Sequence, residues 1–181
     1  MMLYLVKHSR PDLVNSIREL SKVMDGATNF HMKELLRIIG HTLKNEALGL
    51  KLKPETTGFI KWFLKGLTDS DWGQDKETRK SVTGFIIYLN GVAIAWRSKA
   101  QGAVALSSTE AEYYALSEAV MEIKFIVQIL QFLEIEIEYP IDIFVDNVGA
   151  IYLQGTVLQG VGQSILTHKC ILYVTIKRME K

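Results

Sequence analysis

Between Ser107 and Leu130 the apolar residues Leu116, Val120, Ile123, Val127 and Leu130 recur at steps of four and three. That is the period of a helix with one buried face. Four residues before Leu116 the same stripe meets Glu112. An acid therefore stands at the N-terminal end of the face that packs on the core. Glu110 lies two residues earlier, about 200° round the helix, and points elsewhere. Ser107 and Glu110 have the S-x-x-E spacing of a capping box, which gives Glu110 a structural task. Glu112 has none, and a buried carboxylate is costly unless something compensates it.

The same period governs the first part of the chain. Pro11 suits a first helical turn, and Leu13, Ile17, Leu20 and Met24 follow as a stripe. Asp25-Gly26 breaks it. Thr28 caps a second predicted helix, on which Met32, Leu35, Leu36, Ile39 and Leu43 line one face. Lys33, Arg37 and Lys44 share a neighbouring face; a solvated surface explains them more simply than phosphate contact. Residues 1–57 are thus expected to form a helical pair with an extended tail. Residues 58–181 are expected to form a separate domain, with Thr56-Thr57-Gly58 at the boundary.

From Phe59 the period shortens. KWFLKGLTDSDW reads as a strand running into acids. SVTGFIIYL and VAIAWRS, joined by Asn90-Gly91, read as a hairpin. Ser98 to Ala105 reads as a loop. Glu134, Glu136 and Glu138 alternate with apolar residues, as on a solvated edge. Ile141 to Val145 is nearly all apolar, as expected of a strand covered on both faces. It ends in Asp146-Asn147, and VGAIYLQ reads as a short helix. This order predicts an α/β fold with a mixed sheet, the strand after the long helix running parallel to the first. GTVLQGVG, residues 155–162, reads as a linker and lacks the features of a phosphate loop. The Val, Thr and Ile content of the final SILTHKCILYVTIKRMEK leans to strand.

Composition narrows the function classes. The chain has 181 residues with 48% hydrophobic content, enough for a real core. Twenty-one Lys and Arg balance 20 Asp and Glu, so any nucleic-acid contact must come from local patches. A single cysteine, Cys170, forms no internal disulfide, which suits a reducing compartment. MMLYLVKHSRPD is too soon polar for a signal peptide. The longest apolar stretch, Val82 to Trp96, is broken by Asn90-Gly91. No membrane association is therefore expected, and the predicted location is intracellular, cytoplasmic or nuclear.

Three acids fall at comparable places: Asp69 or Asp71 at the end of the first strand, Glu112 at the buried start of the long helix, and Asp146 at the end of the strand that follows it. Open α/β sheets build sites outside the carboxyl ends of their strands. Carboxylates gathered there repel one another unless a cation joins them. Hard divalent ions take such oxygen ligands, and two of them about 4 Å apart support phosphodiester cleavage. Taken singly, each acid is better explained by solvation at a strand end; the three in this order weigh the two readings about evenly.

The motifs LTDSDW, ETRKSVTGFIIYLNGVAIAWRSKAQ, ALSSTEAEYYAL and IFVDNVGAI occur in that order. Together they resemble the ribonuclease H domain of copia-type LTR retrotransposon Pol polyproteins, over roughly Lys65 to Leu153. The stretch before them resembles the segment joining reverse transcriptase to that domain. The resemblance implies a ribonuclease H-like fold and hydrolysis of RNA in RNA–DNA hybrids with Mg²⁺ or Mn²⁺. It assigns the catalytic metal ligands to Asp69, favoured over Asp71, with Glu112 and Asp146. Arg79, Lys80, Arg97 and Lys99 flank the motifs and are candidates for phosphate contact; surface charge is the simpler account of each. The remainder of a reverse transcriptase polyprotein is the implied partner.

The chain also departs from the family. It reads Thr167-His168-Lys169-Cys170 where the family has Thr-Lys-His-Ile. The family's last strand and fourth metal-binding aspartate are expected beyond Lys181. The chain is accordingly expected to be a polyprotein fragment, truncated at both ends, with an impaired site. The alternatives are a module that binds nucleic acid without cutting it, or a transposon relic with no function.

Overall fold

The computed structural model describes residues 2–54 and 61–147, and the backbone of 172–176. The chain divides into two compact units, Met1–Lys51 and Leu52–Lys181. The expected boundary at 57, the helix in VGAIYLQ and the linker at 155–162 lie outside the described residues.

The first unit holds three helices: α1 (Met2–His8), α2 (Val14–Ser21) and α3 (Asn29–Lys44). Pro11 opens a 3₁₀ turn that leads into α2. The sequence reading did not assign α1, which is too short to show a period. Its Val6 is buried with Leu13 and Ile17, and Val14 and Ile38 pack against them. A seven-residue helix is marginal alone, so this packing is what holds α1. Arg10 is buried and forks onto Asp12 at 2.9 and 2.8 Å, while its Nη1 donates to the Asn45 carbonyl at 3.3 Å. Before α3, the Thr28 backbone N–H donates to the His31 ring at 3.1 Å. One expectation is corrected here. Met32, Leu36 and Leu43 stand exposed, because α3 turns Ile38 inward and its apolar arc is wider than two short helices can cover.

The second unit is a five-stranded mixed sheet with one long helix, α4 (Ser108–Phe132). The strands are β1 (Leu64–Asp71), β2 (Val82–Leu89), β3 (Val92–Ala100), β4 (Ile141–Val145) and β5 (Leu172–Ile176). Their order is β3-β2-β1-β4-β5. β1, β2 and β3 form an antiparallel meander, and β4 runs parallel to β1 through Lys65–Leu67 and Asp142–Phe144. Asn90 and Gly91 both have positive φ, 49° and 80°, as a two-residue hairpin turn demands. The buried Asn90 side chain also accepts the Phe63 N–H at 2.8 Å. β3 runs three residues into the stretch read as a loop, because Ser98, Lys99 and Ala100 pair with Gly84, Thr83 and Val82. β4 pairs on its other side with β5 in antiparallel register, within the final stretch whose composition leans to strand. Its β-branched and aromatic residues favour pairing.

The core lies between α4 and one sheet face. Leu116, Ala119, Val120, Ile123 and Leu130 pack on Leu64, Phe85, Ile87, Ile141, Ile143 and Val145. Ala111, Ala115 and Ala119 are fully buried and let the helix approach closely. Gly66 serves the same end in mid-β1. A Cβ built there would lie 3.0 Å from Ile123 Cδ1 and 3.4 Å from two Ile143 carbons. Gly66→Val is therefore expected to destabilise this unit by about 2 kcal/mol through overpacking, read as a lower denaturant midpoint. Among the described residues, no helix is long and apolar enough to cross a membrane.

Candidate metal centre

Three element ends meet at one edge of the core. β1 carries Asp69, α4 carries Glu112 in its second turn, and Asp146 follows β4 directly. One carboxylate oxygen from each can be chosen so that all lie within 4.8 Å of one another. This cluster does not include Asp71. The parallel ladder between β1 and β4 ends at Leu67 and Phe144, so the strands part just before the acids.

Local chemistry fixes each group. Ser107 Oγ accepts the Glu110 N–H at 3.1 Å, and Glu110 Oε2 accepts the Leu106 N–H at 2.7 Å. Glu110 therefore caps α4, one residue further out than a regular capping box. Glu112 is buried, 5% exposed. Its Oε1 accepts two hydrogen bonds from Ser70, 3.0 Å from the backbone N and 2.7 Å from Oγ. Its Oε2 is buried without a hydrogen-bond partner among the described residues. Gln101, also buried, holds the start of α4 to the sheet. Its Nε2 donates to the Ala111 carbonyl at 2.9 Å and to Thr83 Oγ1 at 3.2 Å.

Gathering these carboxylates carries an electrostatic cost. Burial pushes the Glu112 carboxyl above its ordinary range, against the hydrogen bonds from Ser70, and the charges of Asp146 and Asp69 push it further. Asp69 is raised in the same way, by desolvation first and then by the charges of Asp146 and Asp71. A divalent ion would reverse both shifts and give Glu112 Oε2 a partner. The donor set is all oxygen, which suits a hard cation such as Mg²⁺ or Mn²⁺. The residues present therefore fit such an ion.

The four candidate phosphate contacts lie outside this cluster. Arg79 has a positive φ of 56° in the loop after β1. Its guanidinium folds back over Gly73, with Nη2 3.3 Å from the place a Cβ would take. Lys80 is in the same loop, and its carbonyl accepts the Asp75 N–H at 3.1 Å. Arg97 lies 3.8 Å from Glu118 and 3.6 Å from Glu122 on α4, and over the Phe85 ring. Lys99 is exposed, and Thr83 pairs with both Lys99 and Ser70, so Lys99 stands level with the acids in the sheet. The sequence reading gave no role to Ser70 or Gln101. The signal for Ser70 was strand alternation: a residue between two outward acids points to the face that Glu112 covers.

The class defined by these features is an α/β domain with a carboxylate cluster at the carboxyl end of a mixed sheet. Comparison with known proteins gives its relatives. The chain is 39% identical over 121 residues to the secreted RxLR effector protein 161 of Plasmopara viticola, covering 67% of this chain and 82% of that protein. It is 36% identical over 145 residues, 80% of its length, to the retrovirus-related Pol polyprotein from transposon RE2 of Arabidopsis thaliana. It is 33% identical over 136 residues, 72% of its length, to that from transposon TNT 1-94 of Nicotiana tabacum. These matches span 10% and 9% of the two polyproteins. No family model matches the chain, and no solved structure matches it significantly. The relatives of this chain thus include retrovirus-related Pol polyproteins from transposons, and it corresponds to about a tenth of their length.

Proposed function

We propose that the second unit is a ribonuclease H-like module that hydrolyses the RNA strand of RNA–DNA hybrids with the help of Mg²⁺ or Mn²⁺. The observation that carries this reading is the meeting of Asp69, Glu112 and Asp146 within 4.8 Å from three separate elements. The ion, when bound, would supply an activated water and stabilise the leaving oxygen. The chain's own part is to hold the three carboxylates together and to keep Glu112 oriented through Ser70. Lys99, Lys80 and Arg79 would meet the phosphates of the hybrid, and Arg97 would join them only by leaving Glu118 and Glu122. Residues 1–57 would be the connection to the reverse transcriptase, and the rest of that polyprotein would be the partner.

The test uses the purified chain and a hybrid with a labelled RNA strand. Cleavage of the RNA strand is expected with Mg²⁺ or Mn²⁺, and none after chelation. Salt-dependent retention of intact hybrid would instead favour a binding module that does not cut. Neither cleavage nor binding of hybrid or Mn²⁺ would reject both readings and leave the relic.

A further inference from the structure

We propose that Ser70 is a positioning residue for Glu112, dedicated to presenting a single oxygen of that carboxylate to a divalent cation. This rests on the metal-binding reading above and deepens it. Ser70 lies in β1 between two acids. Alternation along the strand sends Asp69 and Asp71 to one side and Ser70 to the other, toward α4. Two independent donors of this one residue converge on one atom, Oε1 of Glu112, at 3.0 and 2.7 Å. The second is a charge-assisted O–H···O bond of the strong kind.

The backbone donor is available for a topological reason. Ser70 pairs with Thr83 of β2, but its N–H donates to Glu112, so it points toward the β4 side of β1. There the parallel ladder has already ended at Leu67. The hydroxyl is available because it has one proton and gives it to Oε1. Thr68, on the same face two residues earlier, gives its proton to the Gly84 carbonyl at 3.3 Å instead. With both Ser70 donors on Oε1, the buried Oε2 is the oxygen left over, and it has no hydrogen-bond partner among the described residues. A carboxylate held in this way cannot rotate to offer Oε1, so it ligates through one oxygen at a fixed angle. Outer partners of metal ligands typically contribute 10–100-fold in affinity.

The experiment is isothermal titration of the full chain with Mn²⁺, alongside thermal unfolding without metal. Ser70→Ala keeps the backbone donor and loses the hydroxyl. It is expected to bind Mn²⁺ about 10–100-fold more weakly while still unfolding cooperatively without metal, at a somewhat lower temperature because one buried hydrogen bond is lost. Ser70→Thr restores the hydroxyl at a strand position that accepts a β-branched residue, and wild-type affinity is expected to return. If Ser70→Ala does not fold, Ser70→Cys puts the same question with a thiol, a far weaker donor. Equal Mn²⁺ affinity in wild type and the hydroxyl-free variant overturns the role of Ser70 and leaves the metal site standing. A wild-type chain that binds no Mn²⁺ overturns both. Weakened binding that Ser70→Thr fails to restore also overturns the proposal, since the hydroxyl would not be the cause.

Discussion

Glu112→Gln is expected to abolish metal-dependent cleavage while making the metal-free protein more stable. The two effects have one cause. Gln keeps an oxygen to accept both bonds from Ser70, and it replaces the unpartnered Oε2 with an N–H group that can donate to the neighbouring acids. It removes the buried negative charge and with it the ligand. Cleavage should fall by a hundredfold or more, roughly beyond the loss expected for an outer partner alone. The sign of the pH effect follows from the raised carboxyl of Glu112. A group raised in the folded state contributes most below its unfolded pKa, in the ordinary carboxylate range, and that contribution is lost as pH rises through the folded value. Metal-free wild type should therefore lose stability from acid toward neutral pH. Glu112→Gln should show a shallower loss, the remainder coming from Asp69, which is raised for similar reasons. At neutral pH the gain should be about 1 kcal/mol, the usual scale for relieving a strained site. Unfolding at several pH values in chelator measures it. Equal slopes for the two proteins would show that Glu112 carries no such burden.

The largest loss of stability is expected from Ile123→Ala, at about 3 kcal/mol, in the middle of the range for a large-to-small change in a tight core. Ile123 is fully buried, and its Cδ1 rests over Gly66 with Ile143 beside it. The cavity left by truncation would lie between α4 and the two central strands, where neither layer can collapse easily. All three tryptophans, Trp62, Trp72 and Trp96, belong to the second unit. Their fluorescence therefore follows this unit in a urea titration. A second measurement tests the geometry and not just the burial. Gly66→Val should be much less damaging in the Ile123→Ala background than alone, because the added methyls fill the same space. Strict additivity would contradict the close approach of helix and sheet.

Much of this fold can be read from the residues alone because its signals are local. The four-and-three stripe of α4 told Glu112 from Glu110, and Asn90-Gly91 marked the hairpin. The alternation of Glu134, Glu136 and Glu138 with Ile135 and Ile137 read as a solvated edge; the three acids are exposed, but Ile137 is buried and bridges to Trp62. Other features depend on partners distant in sequence. A stripe on α3 cannot reveal that its neighbours are too short to cover it. Asp69 and Asp71 have the same strand parity, so alternation cannot separate them; the resemblance favours Asp69, and Asp69 is the one grouped with Glu112 and Asp146. Ser70 is an unremarkable polar residue until Glu112 is set beside it. Gln101 looks like part of a loop until Ala111 and Thr83 close round it.

The brevity of the parallel ladder has a consequence for how the site lives and breaks. β1 is joined to β4 over Lys65–Leu67 alone among the residues in register, whereas β1 pairs with β2 over all its residues and β2 with β3 save for one bulge at Ile94. Asp146 therefore reaches Asp69 and Glu112 beyond the end of a short pairing, against the repulsion of like charges. A bound cation would tie the ends of β1 and β4 together there, so slower amide exchange at the carboxyl end of β4, more than in β2, is where occupancy of the site would be felt.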